Sequence, residues 1–184
     1  MTEYLGIGSS DLPVYLDYYE KYLNGGEYVR NKITAAFAQG AYFGIKAVRD
    51  GVCAGYFTFM EGLWLTYPHR QAEEEIRAVI KDRRHATVDA LMVIPEYRRM
   101  GIGHGLCKEV LDCLRMQKIE LFLVEIWVYP DGSSPARKIY ERMGRSIYKK
   151  EIPGFYAGAS DYGISCPICG EKCRCGAWLE VIEL

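Results

Sequence analysis

The chain has 184 residues, of which 49% are hydrophobic and 26% are charged. These values are ordinary for a globular domain and exclude a disordered or collagen-like chain, and the length suits a single domain. The formal net charge is −1, which provides no general attraction to nucleic acid or to an anionic membrane. We therefore expect no nucleic-acid or membrane partner, and any phosphate must be held by local groups.

Three local features of the sequence bear on location and on metal binding. Residues 1–8 lack a basic stretch followed by an apolar core, so they do not resemble a secretory signal, and we expect a cytoplasmic protein. The most apolar run, 121–129, is much shorter than the ~20 residues of a membrane-spanning helix. Seven cysteines are present, and four of them fall between Cys166 and Cys175. This clustering favours a metal site over disulfide bonds.

The first half of the chain predicts a strand, two helices and a hairpin. Apolar residues at helical spacing indicate the helices, and Gly40 suits the end of the second. Asp50-Gly51 is the pair preferred in a two-residue hairpin turn. The predicted elements are a strand over 2–8, helices over 11–23 and 27–39, and strands over 41–48 and 52–60.

The second half alternates strands and helices. We interpret 61–85 as an insertion that carries one charged surface helix. Ser134 and Pro135 are typical of a helix start, as cap and first residue. The predicted elements are helices over 71–81, 103–117 and 135–143, and strands over 86–94, 119–128, 145–151 and 177–184.

A turn rich in arginine and glycine, Arg98 to Gly105, lies between a predicted strand and a predicted helix. The first N–H groups of a helix are unpaired and carry the positive end of the helix dipole, so they attract an anion. Gly101 and Gly103 lack the β-carbon that would keep a phosphate away from the backbone. Gly105 costs about 1 kcal/mol of helix propensity relative to alanine, which indicates close approach there. A diphosphate fits this turn, although a tight turn without a ligand is the alternative.

The sequence around the glycines excludes one other phosphate motif and disfavours a second. A P-loop requires Gly-Lys-Ser/Thr, whereas this chain has Gly105-Leu106-Cys107. A dinucleotide-binding fold places its glycines in the first strand–helix unit, whereas several elements precede them here. Arg98-Arg99-Met100-Gly101-Ile102-Gly103 instead resembles the signature of the GNAT superfamily of acyl-CoA-dependent N-acyltransferases: Arg or Gln, two free positions, Gly, one free position, and Gly or Ala.

The order of elements over 1–165 resembles the same family. The resemblance implies an α/β (α+β) fold with a central mixed, mostly antiparallel sheet flanked by helices, and acetyl-CoA as co-substrate. It also implies that the loop amides hold the coenzyme A diphosphate, that the Leu91 N–H polarises the thioester carbonyl, and that Val93 pairs with the pantetheine arm. The implied coenzyme-binding residues are Leu91, Met92, Val93, Arg98, Arg99, Met100, Gly101, Ile102, Gly103, His104, Gly105 and Ser133.

Tyr140 is the predicted general acid. The segment 133–144 is similar to a family helix with Asn, Ala, Tyr and Gly at fixed intervals. Ala136, Tyr140 and Gly144 match it, whereas Ser133 replaces Asn. A tyrosine hydroxyl can protonate a departing thiolate. Burial on a helical stripe would also explain a tyrosine at this position.

Two carboxylates on predicted core strands, Asp89 and Glu125, are candidates for the general base, and a bound water is a third. Glu125 is preferred because Val124-Glu125-Ile126 resembles the Leu-Glu-Val of the branch that acetylates protein N-termini. A solvent-facing carboxylate is the alternative for either residue. The segment 152–162 resembles a loop of the same branch, so Tyr156 is expected to line the acceptor pocket.

The predicted reaction is acetyl transfer from acetyl-CoA to a primary amine through a ternary complex. The amine belongs to a small molecule, a protein N-terminus or a lysine, and a homodimer stays open as an assembly. The alternative is a non-catalytic module that binds coenzyme A or a partner and carries a zinc-stabilised interaction tail. A zinc-dependent nucleic-acid protein is disfavoured because Lys172 and Arg174 are the tail's only cations.

The cysteine tail consists of a CxxC and a CxC separated by three residues. Four thiolates complete the tetrahedral shell of a structural zinc ion and leave no position for catalysis. Reduced free thiols or a redox pair are the alternatives. We therefore predict an acetyltransferase domain over 1–165 and a metal-binding tail over 166–184, with the ligands Cys166, Cys169, Cys173 and Cys175.

Overall fold

A computed structural model describes residues 1–170 and 172–184. It confirms the predicted mixed α/β fold with a mostly antiparallel sheet. Seven strands form one sheet in the order β1-β2-β3-β4-β5-β7-β6, and only β4 and β5 run parallel to each other. The strands are β1 Thr2–Gly6, β2 Tyr42–Arg49, β3 Val52–Glu61, β4 His85–Val93, β5 Leu121–Val128, β6 Arg145–Ile152 and β7 Gly176–Glu183.

Five α-helices accompany the sheet within the described residues. None of these helices combines the length and the apolar character needed to cross a membrane. Short 3₁₀ turns occur at Ser9–Asp11, Pro95–Tyr97 and Phe155–Tyr162. The helices are α1 Leu12–Leu23, α2 Gly26–Ala38, α3 Arg70–Ile80, α4 Ile102–Met116 and α5 Arg137–Tyr140.

Helix α5 is shorter than predicted. The sequence suggested a helix over 135–143 with Ser134 as its cap, but α5 is a single turn whose N-cap is Ala136. The chain must reach the first residue of β6, Arg145, immediately afterwards. Gly144 contributes to this constraint, because a β-carbon there would overlap the backbone carbonyl oxygen of Glu183. The prediction of a longer helix with a serine cap was therefore wrong.

The sheet separates two hydrophobic cores. Helices α1, α2 and α3 and the Phe155–Tyr162 turn cover one face, which we call the α1 face, and α4 and α5 cover the other, the α4 face. Successive residues of β5 alternate between the cores: Leu123 lies in the α1-face core and Val124 in the α4-face core, as strand geometry requires.

The predicted hairpin and surface helix are both present. The pairing of β2 with β3 ends at the pair Arg49–Val52. The two turn residues between them, Asp50 and Gly51, have φ angles of 53° and 76°. Positive φ at both positions is the geometry for which an Asp-Gly pair is favoured. Helix α3 buries a stripe of apolar residues against the sheet, namely Ala72, Ile76 and Ile80.

The parallel strands β4 and β5 separate after a short ladder. The pairs that join them run from His85–Leu121 to Thr87–Leu123, and the described strands continue beyond these pairs without pairing to each other. β4 stays paired with β3 and β5 stays paired with β7. A split therefore opens in the middle of the sheet.

A β-bulge lies on β4 at the start of this split. The register with β3 shifts because Thr58 pairs with Ala90 while Phe59 pairs with Val88, which leaves Asp89 as the extra residue. A bulge reverses the alternation of the strand beyond it. Val88 accordingly lies in the α4-face core, whereas Ala90 lies in the α1-face core.

β7 is an interior strand of the sheet. It pairs with β5 on one side and with β6 on the other. The sequence prediction placed these residues in the tail after residue 165, but their hydrogen bonds make them part of the central sheet. The cysteine segment, of which the structure describes residues 163–170 and 172–175, therefore connects the Phe155–Tyr162 turn to β7.

Close approach of β3 and β4 beside the split predicts the effect of a glycine substitution. A β-carbon at Gly55 would overlap the backbone carbonyl oxygen of Met92, and backbone cannot move aside as a flexible side chain can. We expect Gly55→Ala to lower the free energy of unfolding by about 1–3 kcal/mol, measured by urea denaturation.

Gly6→Ala is the matched control for this variant. At Gly6 a β-carbon would meet open space among the described residues, so the free energy of unfolding should stay within about 0.5 kcal/mol of the parent. Equal effects of the two substitutions would contradict the packing argument.

Candidate active site

One cavity of about 1110 Å³ passes through the split in the sheet. It extends from the glycine turn at the start of α4, past the separated strands, to the Phe155–Tyr162 turn and the cysteine segment. The cavity therefore joins the two faces of the sheet. Its wall includes Arg98, Gly101, Gly103, Glu125, Tyr140 and Tyr156.

The glycine turn presents backbone donors to this cavity. Gly101 is the N-cap of α4 with a φ of 80°, a left-handed conformation that glycine adopts at little cost. The first intrahelical bond runs from the Gly105 N–H to the Gly101 carbonyl at 3.1 Å. The N–H groups of Ile102, Gly103 and His104 precede that bond, and all three residues line the cavity. This arrangement suits a phosphate.

The open edge of β4 supplies further donors. The Ile94 N–H donates to the Ala54 carbonyl of β3 at 3.0 Å. Successive N–H groups of a strand point to opposite edges, so those of Leu91 and Val93 point towards β5 across the split. Both residues line the cavity, as does Met92 between them.

Three of the predicted coenzyme-binding residues are not among the residues that line the cavity. Met100 is half exposed to solvent, and Ser133 is exposed in the turn where its N–H donates to Asp131 at 2.9 Å. Gly105 faces the N-terminal strand, because a β-carbon there would overlap the Tyr4 hydroxyl. Packing against Tyr4 is thus a structural reason for a glycine at this position.

Tyr140 lies in the α4-face core, where 4% of the residue is exposed. Its ring makes an edge-to-face contact with Phe57 at a centroid distance of 6.2 Å, and the residue lines the cavity. Burial raises the pKa of Tyr140 above its ordinary value of 10.0, and the neighbouring Cys107 adds to this. The hydroxyl thus keeps its proton at neutral pH and can donate it.

Glu125 reaches the cavity from β5 on the α1 face. Its Oε1 accepts hydrogen bonds from the Tyr156 hydroxyl at 2.6 Å and from Thr66 Oγ1 at 2.7 Å. Its Oε2 accepts one from the Thr66 backbone N–H at 3.0 Å. The carboxylate is therefore held in one orientation, and Oε2 keeps room to accept a proton from a ligand.

Asp89, the other candidate base, lies in a cluster of hydroxyl groups. Its Oδ2 accepts hydrogen bonds from Tyr42 at 2.5 Å and Tyr15 at 2.9 Å, and Thr58 lies at 3.5 Å. Burial raises the pKa of Asp89, although the bonds from Tyr42 and Tyr15 act in the opposite direction. Asp89 lines the same cavity as Glu125.

Comparison with known proteins identifies the family. The family model described as Acetyltransferase (GNAT) family matches residues 12–144. This chain belongs to the GNAT family. The resemblance inferred from the glycine turn is thereby confirmed.

Sequence comparison also finds a relative among the N-terminal acetyltransferases. The N-terminal acetyltransferase B complex catalytic subunit NAT3 of Saccharomyces cerevisiae is 27% identical over 77 residues, which are 42% of this chain and 38% of that protein. This chain thus matches about two fifths of the length of this curated relative. The match agrees with the predicted likeness to the branch that acetylates protein N-termini.

Solved GNAT structures share the fold over the whole chain. Arabidopsis thaliana NAA60 in complex with acetyl-CoA has a TM-score of 0.70 at 18% identity, covering 100% of this chain and 99% of that one. The same protein with a bisubstrate analogue has a TM-score of 0.69 at 19% identity and covers 100% and 98%. The ribosomal-protein-S18-alanine N-acetyltransferase of Escherichia coli has a TM-score of 0.62 at 16% identity and covers 100% and 94%.

Several site residues were missed in the sequence. Thr66 lies in 61–85, which we interpreted as an insertion, yet it holds Glu125. Lys32 of α2 is half-buried outside the cavity wall, close enough for the charges of Asp89 and Glu125 to act on it; its ammonium group donates to the Leu65 carbonyl, and desolvation lowers the pKa of this lysine. The contact of Tyr42 with Asp89 depends on a sheet register that local sequence does not show. No local pattern marked any of these three residues.

The raised pKa of Asp89 predicts how stability depends on pH. A folded-state pKa above the unfolded value of about 3.9 means that the folded chain binds more protons than the unfolded one in the interval between the two values. The contribution of Asp89 to stability is therefore present below this interval and lost as the pH rises through it. Asp89→Asn removes the ionisation.

We expect the melting temperature of Asp89→Asn, relative to the parent, to increase when the pH is raised from about 4.5 to about 8. Thermal melts of both proteins across this range test the prediction. A difference that is constant with pH, or that changes in favour of the parent, would contradict it. Glu3→Gln, a change at an exposed position on β1, is the control for removal of a carboxylate.

Proposed function

We propose that this chain is an N-acetyltransferase that carries the acetyl group of acetyl-CoA directly to a primary amine in a ternary complex. One observation carries the proposal: a single cavity through the split sheet joins the glycine turn, Tyr140 and Glu125. Donors for a diphosphate, a proton donor and a proton acceptor thus line one continuous space. Direct transfer requires such a space because both substrates must be bound at once.

The coenzyme would enter from the α4 face. The N–H groups at the start of α4 suit its diphosphate, and the edge of β4 suits the amide-containing arm that follows. The Arg98 side chain donates to the Val93 carbonyl at 3.0 Å, which ties the turn to the end of the strand. The Leu91 N–H is the donor that we assign to the thioester carbonyl, where negative charge develops during attack.

The amine would enter from the α1 face. Glu125 takes a proton from the amine as its nitrogen bonds to the thioester carbon, and Leu91 stabilises the resulting oxyanion. The carbon–sulfur bond then breaks, and Tyr140 donates its proton to the departing thiolate. The products are the acetylated amine and coenzyme A. Solvent exchange afterwards returns a proton to the Tyr140 oxygen and removes one from Glu125.

Glu125 is preferred to Asp89 as the base on two structural grounds. The Asp89 carboxylate accepts hydrogen bonds from the hydroxyls of Tyr15 and Tyr42 and lies 3.5 Å from that of Thr58, so it is committed to a hydroxyl cluster of the protein itself. The Oε2 atom of Glu125 accepts only the Thr66 N–H among the described residues. Asp89 is then a structural group that orders the hydroxyl cluster beside the split.

We propose the amino terminus of a peptide or protein as the acceptor. The relationship to a catalytic subunit of an N-terminal acetyltransferase complex supports this class. One enzyme that shares the fold is described as a ribosomal-protein-S18-alanine N-acetyltransferase. The α1–α2 loop and the Phe155–Tyr162 turn both contribute residues to the cavity wall on the α1 face. We propose that a chain with a free amino terminus lies against this part of the wall.

Tyr140→Phe tests the catalytic proposal. Removing the hydroxyl should lower kcat by about 100-fold or more, since general acid catalysis contributes about 10²–10⁴. The dissociation constant of acetyl-CoA, measured by calorimetry, should stay within about twofold, because the ring and its packing are retained. Turnover is followed as thiol release from acetyl-CoA with a mixture of short peptides that differ in their first residue and with small amines.

Tyr148→Phe is the matched control, because Tyr148 lies on β6 and donates to Glu75, away from the cavity wall. Its turnover should equal that of the parent. Binding of acetyl-CoA without turnover of any amine by the parent would favour the non-catalytic module. Full activity of Tyr140→Phe would exclude Tyr140 as the acid.

Glu125→Gln and Asp89→Asn together identify the base. Glutamine keeps the size of Glu125 but cannot take a proton at neutral pH, so kcat/KM for the amine should fall by about 100-fold or more. Asp89→Asn should cost less than about tenfold, since its role is structural. The reverse order would assign the base to Asp89, and small effects of both would leave water as the proton acceptor.

A further inference from the structure

The four cysteines of the tail converge in space. Their sulfur atoms all lie within 4.8 Å of one another. The Cys175 sulfur is 3.8 Å from that of Cys166 and 3.6 Å from that of Cys169. Zinc–sulfur bonds of about 2.3 Å at the tetrahedral angle place sulfur atoms about 3.8 Å apart, whereas a disulfide requires about 2.05 Å. The spacing fits a tetrahedral metal site.

Backbone donors point at two of these sulfur atoms. The N–H groups of Ile168 and Cys169 lie 3.4 and 3.3 Å from the Cys166 sulfur, and the Cys175 N–H lies 3.4 Å from that of Cys173. Such N–H groups stabilise thiolate charge in a metal site, because hydrogen bonds to a charged acceptor are stronger than those to a neutral thiol.

A buried indole supplies an independent observation. The Trp127 Nε1 is buried and makes no hydrogen bond of ordinary length and angle among the described residues, and the acceptor beside it is the sulfur of Cys175. A buried donor without a partner costs free energy. A metal-bound thiolate at Cys175 accepts such a donor better than a neutral thiol does, because it carries negative charge.

The cluster forms part of the cavity wall on the α1 face. Residues 165–168 line the cavity, and both Cys166 and Cys175 belong to the α1-face core. The Tyr156 N–H donates to the Cys175 carbonyl at 3.3 Å, and the Tyr156 hydroxyl donates to Glu125. The cluster is thus two hydrogen bonds away from the proposed base.

The cysteine segment also contacts the loop between α1 and α2. The Ser165 N–H donates to the carbonyl of Asn24, in the loop between α1 and α2, at 3.2 Å. This loop and residues 165–168 therefore form adjoining parts of the cavity wall. The glycine turn belongs to the opposite, α4 face. A change in the cysteine segment should alter the acceptor side and leave the coenzyme side intact.

We propose that Cys166, Cys169, Cys173 and Cys175 bind one zinc ion, and that this ion holds the wall of the acceptor pocket in its functional shape. The second half of the inference rests on the proposed acetyl transfer to an amine. Zinc bound to four thiolates has no open coordination position, so its role is to position Tyr156 and the segment around it. Removal of zinc should therefore weaken binding of the acceptor and leave binding of acetyl-CoA unchanged.

The zinc site is tested first, without reference to activity. Protein purified under reducing conditions should contain one zinc per chain by elemental analysis. Cys169→Ser and Cys173→Ser should each lose at least half of it, because a tetrahedral site loses a ligand. Cys113→Ser is the matched control, since Cys113 is a half-buried cysteine on α4 outside the cluster, and it should retain the metal.

Less than half an equivalent of zinc in the parent, or full retention in both ligand variants, would overturn the site. Detection of disulfides among the four cysteines in the parent would also overturn it. A chelator titration of the parent followed by re-addition of Zn²⁺ replaces the variants if these fail to fold. Reversible loss and recovery of the metal is then the expected result.

The coupling to the acceptor pocket is tested by hydrogen exchange and kinetics. Removal of zinc should accelerate amide exchange over 155–170, including the Tyr156 N–H, and leave 98–105 unchanged. The KM for short peptides with free amino termini should rise about tenfold or more, because displacement of positioning groups costs this much. The dissociation constant of acetyl-CoA should stay within about twofold, because Tyr140 and the glycine turn lie on the other face.

The outcomes separate this inference from the proposed function. If the zinc-loaded parent acetylates no amine, the proposed function fails, while zinc content and hydrogen exchange still decide the site and its coupling to Tyr156. If acetylation proceeds with an unchanged peptide KM and unchanged exchange after zinc removal, the coupling is wrong and the proposed function stands.

Discussion

The separation of β4 from β5 is the constraint on which the rest of the site depends. Three residue pairs join the strands, and beyond Thr87 and Leu123 each strand is held only by its other neighbour. Edge N–H groups of β4 then lack a strand partner inside the protein, and backbone donors away from water need one. A ligand that carries amide and carbonyl groups can satisfy them. The same opening lets the cavity cross the sheet, so one structural feature creates both the coenzyme edge and the route between the two faces.

The proposed acid and base lie on opposite faces of the sheet. Tyr140 belongs to the α4-face core, whereas Glu125 faces the Tyr156 hydroxyl on the α1 face. Strand alternation produces this division, because Val124 and Ile126 on either side of Glu125 lie in the α4-face core. The two environments differ accordingly: Tyr140 is surrounded by apolar groups that keep its proton in place, and Glu125 by donors that orient its oxygens. A thioester and an amine arriving from opposite faces would each meet the group suited to them.

Local signals predicted most of the fold, whereas the missed features depend on distant parts of the chain. Asp50-Gly51 and the glycine turn each carry their geometry within a few residues, so their sequence sufficed. The terminal strand looks the same in sequence whether it lies at an edge or in the interior, since only its pairing with β5 and β6 distinguishes the two. The bulge at Asp89 is a register shift between β3 and β4. The contact of Thr66 with Glu125 joins residues that lie 59 positions apart in the chain. The packing of Gly105 against Tyr4 could not be predicted locally, because Tyr4 is remote in sequence.

The position of the cysteine segment explains how a structural metal could influence only one substrate. The segment starts after the Phe155–Tyr162 turn and ends at β7, an interior strand held on both edges. Its C-terminal end is therefore fixed by the sheet, and its residues 165–168 line the cavity. Coordination of four side chains would further restrict this segment, because each ligand limits the backbone between them. The Tyr156 N–H bond to Cys175 extends this order to the pocket wall, while the glycine turn is supported separately by α4 on the opposite face.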